Sequence, residues 1–309
     1  QQQLGTFPLF KFWGPATSIE STSWIASAAM DVDRVHGPTL TLIYLPHLDY
    51  CLQKFGPNHP NVAADLRDID WEVGRLLDYY AGSSIILLSE YGIAAVDTPI
   101  HLNRLLREKG FISVREELGL ELLDCGASQA FAVADHQLAH VYVNDPRVLR
   151  EVRKVIEAQP GIDAVYAGEE RRAVRLDHPR AGDLVVLAKP NAWFTYYYWL
   201  DDVKAPDFAR TVDIHRKPGY DPAELFLDPK LTAPKLKIAW TLLRRKLGMR
   251  AMLDVIGLNA SIVRGSHGAT PSSPQAGPFI ASNRPALLES TAYDAPEICG
   301  LMLRHLQSA

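Results

Sequence analysis

The sequence predicts an α/β protein: a mainly parallel sheet flanked by helices, with a cap subdomain inserted into it. Three observations carry this expectation. Short apolar runs alternate with longer stretches of helical period along the 309 residues. Polar residues gather at the carboxyl ends of those runs, where open α/β sheets place their ligands. A middle stretch of short strands around a single helix interrupts the rhythm, which divides the chain into a first core part (1–121), a cap-like α+β insertion (122–188) and a second core part (189–309).

The elements follow in order. Leu40 to Leu45 (LTLIYL) is a buried-strand pattern ending in PHLDY. Pro60 to Tyr80 reads as a helix, because Val62, Leu66, Ile69, Val73, Leu76 and Leu77 recur at spacings of three and four. Ser84 to Leu88 (SIILL) is a second buried strand, ending in SEYG. Pro99 opens a helix through Arg107 that stops at Gly110, since proline suits a first turn and glycine a C-cap. Strands are expected at Ala130 to Ala134, His140 to Val143, Ala164 to Ala167, Leu184 to Ala188 and Phe279 to Ala281, and helices at Arg147 to Ala158 and Ala295 to Leu306, the latter capped by Asp294. Pro234 to Leu258 reads as a basic helix, and Gly268 to Gly277 as a loop.

Composition narrows the function. Lys+Arg 32 nearly balances Asp+Glu 36, a net charge of -4, so no global field recruits a nucleic-acid polymer. Three cysteines far apart, without paired spacing, argue against a disulfide framework or a thiolate zinc site. No apolar run approaches the ~20 residues that cross a bilayer, and the start QQQLGTFPLFKFWGP lacks the basic and apolar regions of an export signal, which favours a cytoplasmic location. Oligomeric state is left open.

Catalytic metal sites take carboxylates and imidazoles from loops after several strands, because a divalent ion needs three or more converging ligands. This chain offers His47 and Asp49, then Glu90 and Tyr91, then Asp135 and His136, then Asp213 and His215 in DIHRKPGYDP, and His267 in RGSHG. On an extended strand Asp213 and His215 share a face, as do His47 and Asp49. Arg216 and Lys217 are candidate donors to phosphate. His136 and His140 have the spacing of a helical metal pair, although the following VYV favours a strand.

Three of these segments resemble the nucleotide pyrophosphatase/phosphodiesterase family of the alkaline phosphatase superfamily. The family has a metal-binding Asp, a metal-binding His four residues on, then Gly-Pro; DYCLQKFGP keeps Asp49 and Gly56-Pro57 but carries Gln53 at the histidine position. Its Ser-Asp-His-Gly corresponds to Ser89-Glu90-Tyr91-Gly92, and its Gly-x-His-Gly to Gly265-Ser266-His267-Gly268. The resemblance implies an alkaline-phosphatase-like fold and metal ligation by Asp49 and His267, with Glu90 on a second ion; Asp213 and His215, which have no counterpart in the family pattern, and His47, which lies two residues from Asp49, are candidates to make up for the missing histidines. Tyr91, Gln53 and Arg216 are then candidates for substrate contact. Zinc is the implied cofactor, and the carboxylate-heavy set leaves manganese, magnesium or calcium open. The family's nucleophilic Thr or Ser belongs to an earlier segment; Thr17 and Ser18 in GPATS follow no strand with a terminal Asp.

The function expected is metal-dependent hydrolysis of a small phosphate ester. The alternative is an eroded phosphodiesterase-like protein that binds a phosphorylated ligand or a partner. A lipid-associated accessory role rests only on the basic segment near Arg244.

Overall fold

A computed structural model describes residues 3–308 of the chain. They form two compact units: the first comprises residues up to Ile93 together with Pro271 onward, and the second is the continuous segment Ala94–Thr270. The expected insertion 122–188 lies inside the second unit, which runs wider on both sides. The reason is that Thr98–Ile100 pairs with Ala192–Phe194 and so draws the flanking segments into the same core.

The first unit begins with the helices α1 (Leu9–Phe12), α2 (Ile19–His36), α3 (His47–Phe55) and α4 (Val62–Tyr79) and the strand β1 (Ile86–Leu88). Sequence periodicity found α4 but not α2 or α3. α2 ends where Gly37, at a φ of 53°, turns left-handed and its N–H bonds the Asp33 carbonyl at 2.8 Å. α2 and α4 meet through polar groups: the Ser23 hydroxyl donates to the buried Glu72, and Arg75 donates to Glu72 at 2.7 Å and to Ser27 at 3.3 Å.

The expected strand Leu40–Leu45 is absent: this segment is irregular and joins α2 to α3. Leu40, Leu42 and Tyr44 are exposed while Thr41, Ile43 and Leu45 are half-buried. The apolar run that suggested a buried strand is thus not buried, and no strand pairs with it among the described residues.

The second unit contains β2 (Ala94–Ala95), β3 (Thr98–Ile100), α5 (Leu102–Glu108), β4 (Ser113–Glu117), β5 (Leu120–Asp124), β6 (Ala130–Asp135), β7 (Leu138–Val143), α6 (Leu149–Glu157), β8 (Ile162–Ala167), β9 (Leu184–Ala188), β10 (Ala192–Phe194), α7 (Pro234–Lys246) and β11 (Gly265–Ser266). Pro99 lies in β3 rather than in the first turn of α5. α7 stops at Lys246, well short of Leu258, because Gly248 turns left-handed at a φ of 79°. The first unit then resumes with β12 (Ile280–Ser282), antiparallel to β1, and α8 (Glu297–Gln307), whose Glu297 carboxylate accepts from the Asp294 N–H at 2.6 Å.

The α/β composition matches expectation, whereas the sheets are small and mostly antiparallel. The four-stranded sheet has the order β6-β7-β9-β8 with antiparallel pairing throughout; a two-residue turn joins β6 to β7, α6 lies between β7 and β8, and the longer segment 168–183 brings β9 back between them. Parallel pairing is confined, among the described residues, to β3 with β10 and an isolated bridge between Ala134 and Gly219. α5 and α6 pack on the sheet, and Leu102, Leu106, Val152 and Ile156 are fully buried against Ala132, Val141, Leu184 and Val186. A second core holds the run Tyr196–Tyr197–Tyr198–Trp199 with Trp193 and Phe208.

Asn103, buried on α5, works as a substitute strand. Its amide donates to the Ala132 carbonyl at 2.8 Å and accepts from the Ala132 N–H at 2.7 Å. Replacing Asn103 with Ala leaves both buried backbone groups without a partner, and a loss of about 2–3 kcal/mol is expected. Urea unfolding checks this: the midpoint falls while the slope stays constant.

Candidate functional site

In the first unit the chemistry gathers around Asp49, in the first turn of α3. The Tyr91 hydroxyl donates to Asp49 Oδ2 at 2.8 Å. Burial pushes the Asp49 carboxyl above its usual range, an effect partly offset by the Tyr91 hydrogen bond and reinforced by the charge of Glu90. Burial likewise raises the phenols of Tyr91 and Tyr44, and both also feel the charges of Asp49 and Glu90. Asp49 thus takes a hydrogen bond from Tyr91 and feels the charge of Glu90. Gly92, the next residue, has no room for a side chain, because a Cβ there would run into the Ala276 carbonyl.

Helical geometry decides the neighbours of Asp49. Gln53 is one turn further along α3 on the same side and fully buried. His47 goes elsewhere. The expectation that His47 and Asp49 share a face assumed extended backbone; on a helix, residues two apart point ~200° apart. His47 instead faces α4, where its Nε2 lies 3.1 Å from Asp65 Oδ1. One ligand atom each from His47, Asp65 and Asp68 lies within 4.8 Å of the other two. Sequence reading missed Asp65 and Asp68, whose i, i+3 spacing on α4 was the available signal.

In the second unit the imidazoles of His267 and His136 lie against each other with ring centroids 3.7 Å apart and planes tilted by 33°, and the Tyr220 ring lies 3.9 Å from that of His136, tilted by 32°. One backbone bond and one side-chain contact hold this arrangement: the Gln137 N–H donates to the His267 carbonyl at 2.8 Å, and the Ser266 hydroxyl is 3.4 Å from His136 Nδ1. His136 is the first residue of the two-residue turn between β6 and β7, with a φ of 56°. Glycine or asparagine is usual at such a position, so the imidazole is held there against a backbone cost. Burial lowers the His267 pKa from 6.5 to about 4, and burial followed by the nearby His267 lowers that of His136. Both rings are therefore neutral at pH 7, the form in which imidazole ligates metals. His140 belongs to β7 opposite Val185, not to a helix, so it forms no helical pair with His136.

The DIHRKPGYDP segment is a turn rather than an extended strand, with the Arg216 N–H bonded to the Asp213 carbonyl at 3.3 Å, so Asp213 and His215 do not share a strand face. The Asp213 N–H donates to Glu224 at 3.0 Å, and His215 is exposed. Arg216 is paired with Asp207 at 2.9 Å and lies over the Phe208 ring. Lys217 is fully buried between Asp221, at 2.8 Å, and Glu224, at 2.6 Å. Burial alone lowers its pKa, but the two carboxylates outweigh burial and keep the ammonium charged. A separate cavity of about 600 Å³ is lined by His101, Arg104, Arg210 and Lys230 among others. Arg104 is held there by the Trp199 carbonyl at 2.7 Å and Asp202 at 2.8 Å.

Two outcomes follow from this geometry. Lys217→Met strands two buried carboxylates and is expected to cost about 3–5 kcal/mol, read as a lowered denaturation midpoint. The second concerns acid. His101, like His267, is lowered from 6.5 to about 4, by burial and then by Arg104. Between these values the unfolded chain binds protons that the folded rings refuse, so stability is complete above pH 6.5 and falls as the pH drops toward 4. Each ring contributes at most ~1.4 kcal/mol per pH unit. His267→Gln should therefore lose less stability than the native protein when urea unfolding at pH 7 is compared with pH 4.5.

Against solved structures, the chain is similar to phosphonoacetate hydrolase from Sinorhizobium meliloti 1021 in complex with phosphonoacetate, at 20% identity and a TM-score of 0.41, covering 57% of this chain and 43% of that one. It is also similar to murine ectonucleotide pyrophosphatase/phosphodiesterase 5, at 17% identity and 0.41, covering 55% and 43%, and to the human protein of that name, at 15% and 0.42, covering 74% and 59%. The chain thus spans less than half the length of the first two. No curated protein matches it. The model of the type I phosphodiesterase / nucleotide pyrophosphatase family matches residues 3–221, which include the α3 and Ser89–Gly92 segments built around Asp49. Since that match takes in well over half of the chain, the protein belongs to this family.

Proposed function

We propose that the protein acts in metal-dependent hydrolysis of a phosphate ester, of the phosphodiester or nucleotide-pyrophosphate class, with Asp49 and Glu90 holding a divalent cation. The observation that carries this reading is the cluster in which Tyr91 fixes one oxygen of the half-buried Asp49 while Glu90 adds a second negative charge beside it. A divalent cation offsets both the desolvation and the like-charge repulsion that this arrangement creates. When bound, such an ion polarises a phosphoryl oxygen and makes attack by a hydroxyl or water easier.

The donors around Asp49 are carboxylates and phenols, which supports manganese or magnesium there. Zinc, the ion implied by the resemblance, prefers imidazole, and Gln53 and Tyr91 stand at two of the family's histidine positions. His267 remains a candidate ligand on the strength of its motif and its neutral ring. His215 and Asp213 are weaker candidates, because the turn that carries them gives no shared face, and Arg216 is engaged by Asp207. The substrate expected is small and phosphorylated. No helix among the described residues is long and apolar enough to cross a membrane.

The test is hydrolysis of a chromogenic phosphodiester with manganese, magnesium or zinc supplied. Asp49→Asn and Glu90→Gln are each expected to lower kcat/KM at least a hundredfold without loss of folding. Native protein inactive with every one of these ions would sink the proposal and favour an eroded, ligand-binding member of the family.

A further inference from the structure

We propose that His47, Asp65 and Asp68 form a second metal site, for one borderline divalent cation such as zinc, that ties the start of α3 to the first two turns of α4. It lies apart from the Asp49 cluster, because the turn of α3 sends His47 and Asp49 in different directions, and no family motif includes these three residues.

The first observation is convergence. His47 opens α3, while Asp65 and Asp68 project from one face of α4, and a donor atom from each lies within 4.8 Å of the others. Ligands about 2.0–2.2 Å from one ion are separated by ~3–4 Å, so the exposed Asp68 needs only a modest side-chain rotation to complete the set.

The second observation is independent of the carboxylates. His47 is 4% exposed, yet neither ring nitrogen has a hydrogen-bond partner among the described residues. Its Nε2 is near enough to Asp65 to count as an ion-pair contact, at 3.1 Å, but the geometry is not that of a hydrogen bond. A His–Asp pair serving only to bind the helices would align N–H with oxygen, since burying an unaligned imidazole costs free energy. A cation bound between the two groups would take up the imidazole nitrogen that no hydrogen bond satisfies.

The donor chemistry selects the ion. One buried imidazole nitrogen and two carboxylates form a nitrogen-plus-oxygen set that favours zinc or manganese over calcium, which takes six to eight oxygens. The gradient from buried His47 through half-buried Asp65 to exposed Asp68 leaves the solvent side open for water to fill the remaining positions. The consequence is structural: α3 carries Asp49, so an ion that anchors its first residue to α4 also holds the helix from which Asp49 projects.

The experiment uses purified, chelator-treated protein, titrated with zinc and then manganese, with bound metal counted by elemental analysis and thermal unfolding followed in parallel. Native protein should bind one more ion per chain than Asp68→Asn or His47→Gln, with affinity at that site weakened more than tenfold in either variant. Tm should rise with zinc in the native protein and by less in both variants. Asp68 is exposed, so Asp68→Asn tests the site even where His47→Gln fails to fold. Unchanged stoichiometry and affinity in Asp68→Asn, or no zinc uptake by the native protein, overturns the proposal. Asp49→Asn should keep this ion, so loss of hydrolysis there and loss of metal here are separate results.

Discussion

The turn of a helix by ~100° per residue governs what the first unit can do. It directs His47 toward Asp65 and Asp68 and leaves Asp49 with Tyr91, Glu90 and, one turn on, Gln53. On a strand the same PHLDY would have placed imidazole and carboxylate together. As a helix it makes two polar centres, and the ligand chemistry of each follows from which side of α3 it occupies.

A second theme is how the protein handles buried polarity. Lys217 keeps its charge because two carboxylates surround it, whereas burial lowers the pKa of His267 and His136 and leaves both rings neutral at pH 7. Asp49 lies between these cases. A phenol satisfies one of its oxygens, and a neighbouring glutamate makes its charge harder to keep. Of the three, it is the one whose environment a cation would most improve.

Much of the second unit was legible in the sequence. The strands at 130–134, 140–143, 164–167 and 184–188 all formed, because alternating or continuous apolar runs matched sheets that bury those faces. α2 was missed since its apolar residues form no clear buried stripe: Val32 and Val35 are exposed while Ser21 and Thr22 are buried beside Ala26, and its partner on α4 includes the charged pair of Glu72 and Arg75. Leu40–Leu45 misled for the opposite reason: an apolar run was present, but half of it is exposed and no strand pairs with it among the described residues. At the site, the motif segments drew attention to Asp49, Glu90 and Tyr91, and Tyr91 bonds Asp49 while Glu90 adds its charge there. Spacing arguments failed at His47 and at Asp213–His215, where they assumed extended backbone and the chain made a helix and a turn. Asp65 and Asp68 carried no motif, and their relation to His47 depends on how two helices pack.

The outer margins of the four-stranded sheet have a further consequence. On β6 the Phe111 carbonyl takes the Ala130 N–H, Asn103 takes both groups of Ala132, and the Tyr220 N–H takes the Ala134 carbonyl. On β8, Arg153 occupies the Val165 carbonyl and Glu170 the Ala167 N–H. Borders plugged in this way offer few sites for a strand from another molecule to zip onto, so the folded unit resists self-association by β-addition. That protection depends on α5 staying docked, which makes detachment of one seven-residue helix the step that would expose a sticky margin and begin aggregation.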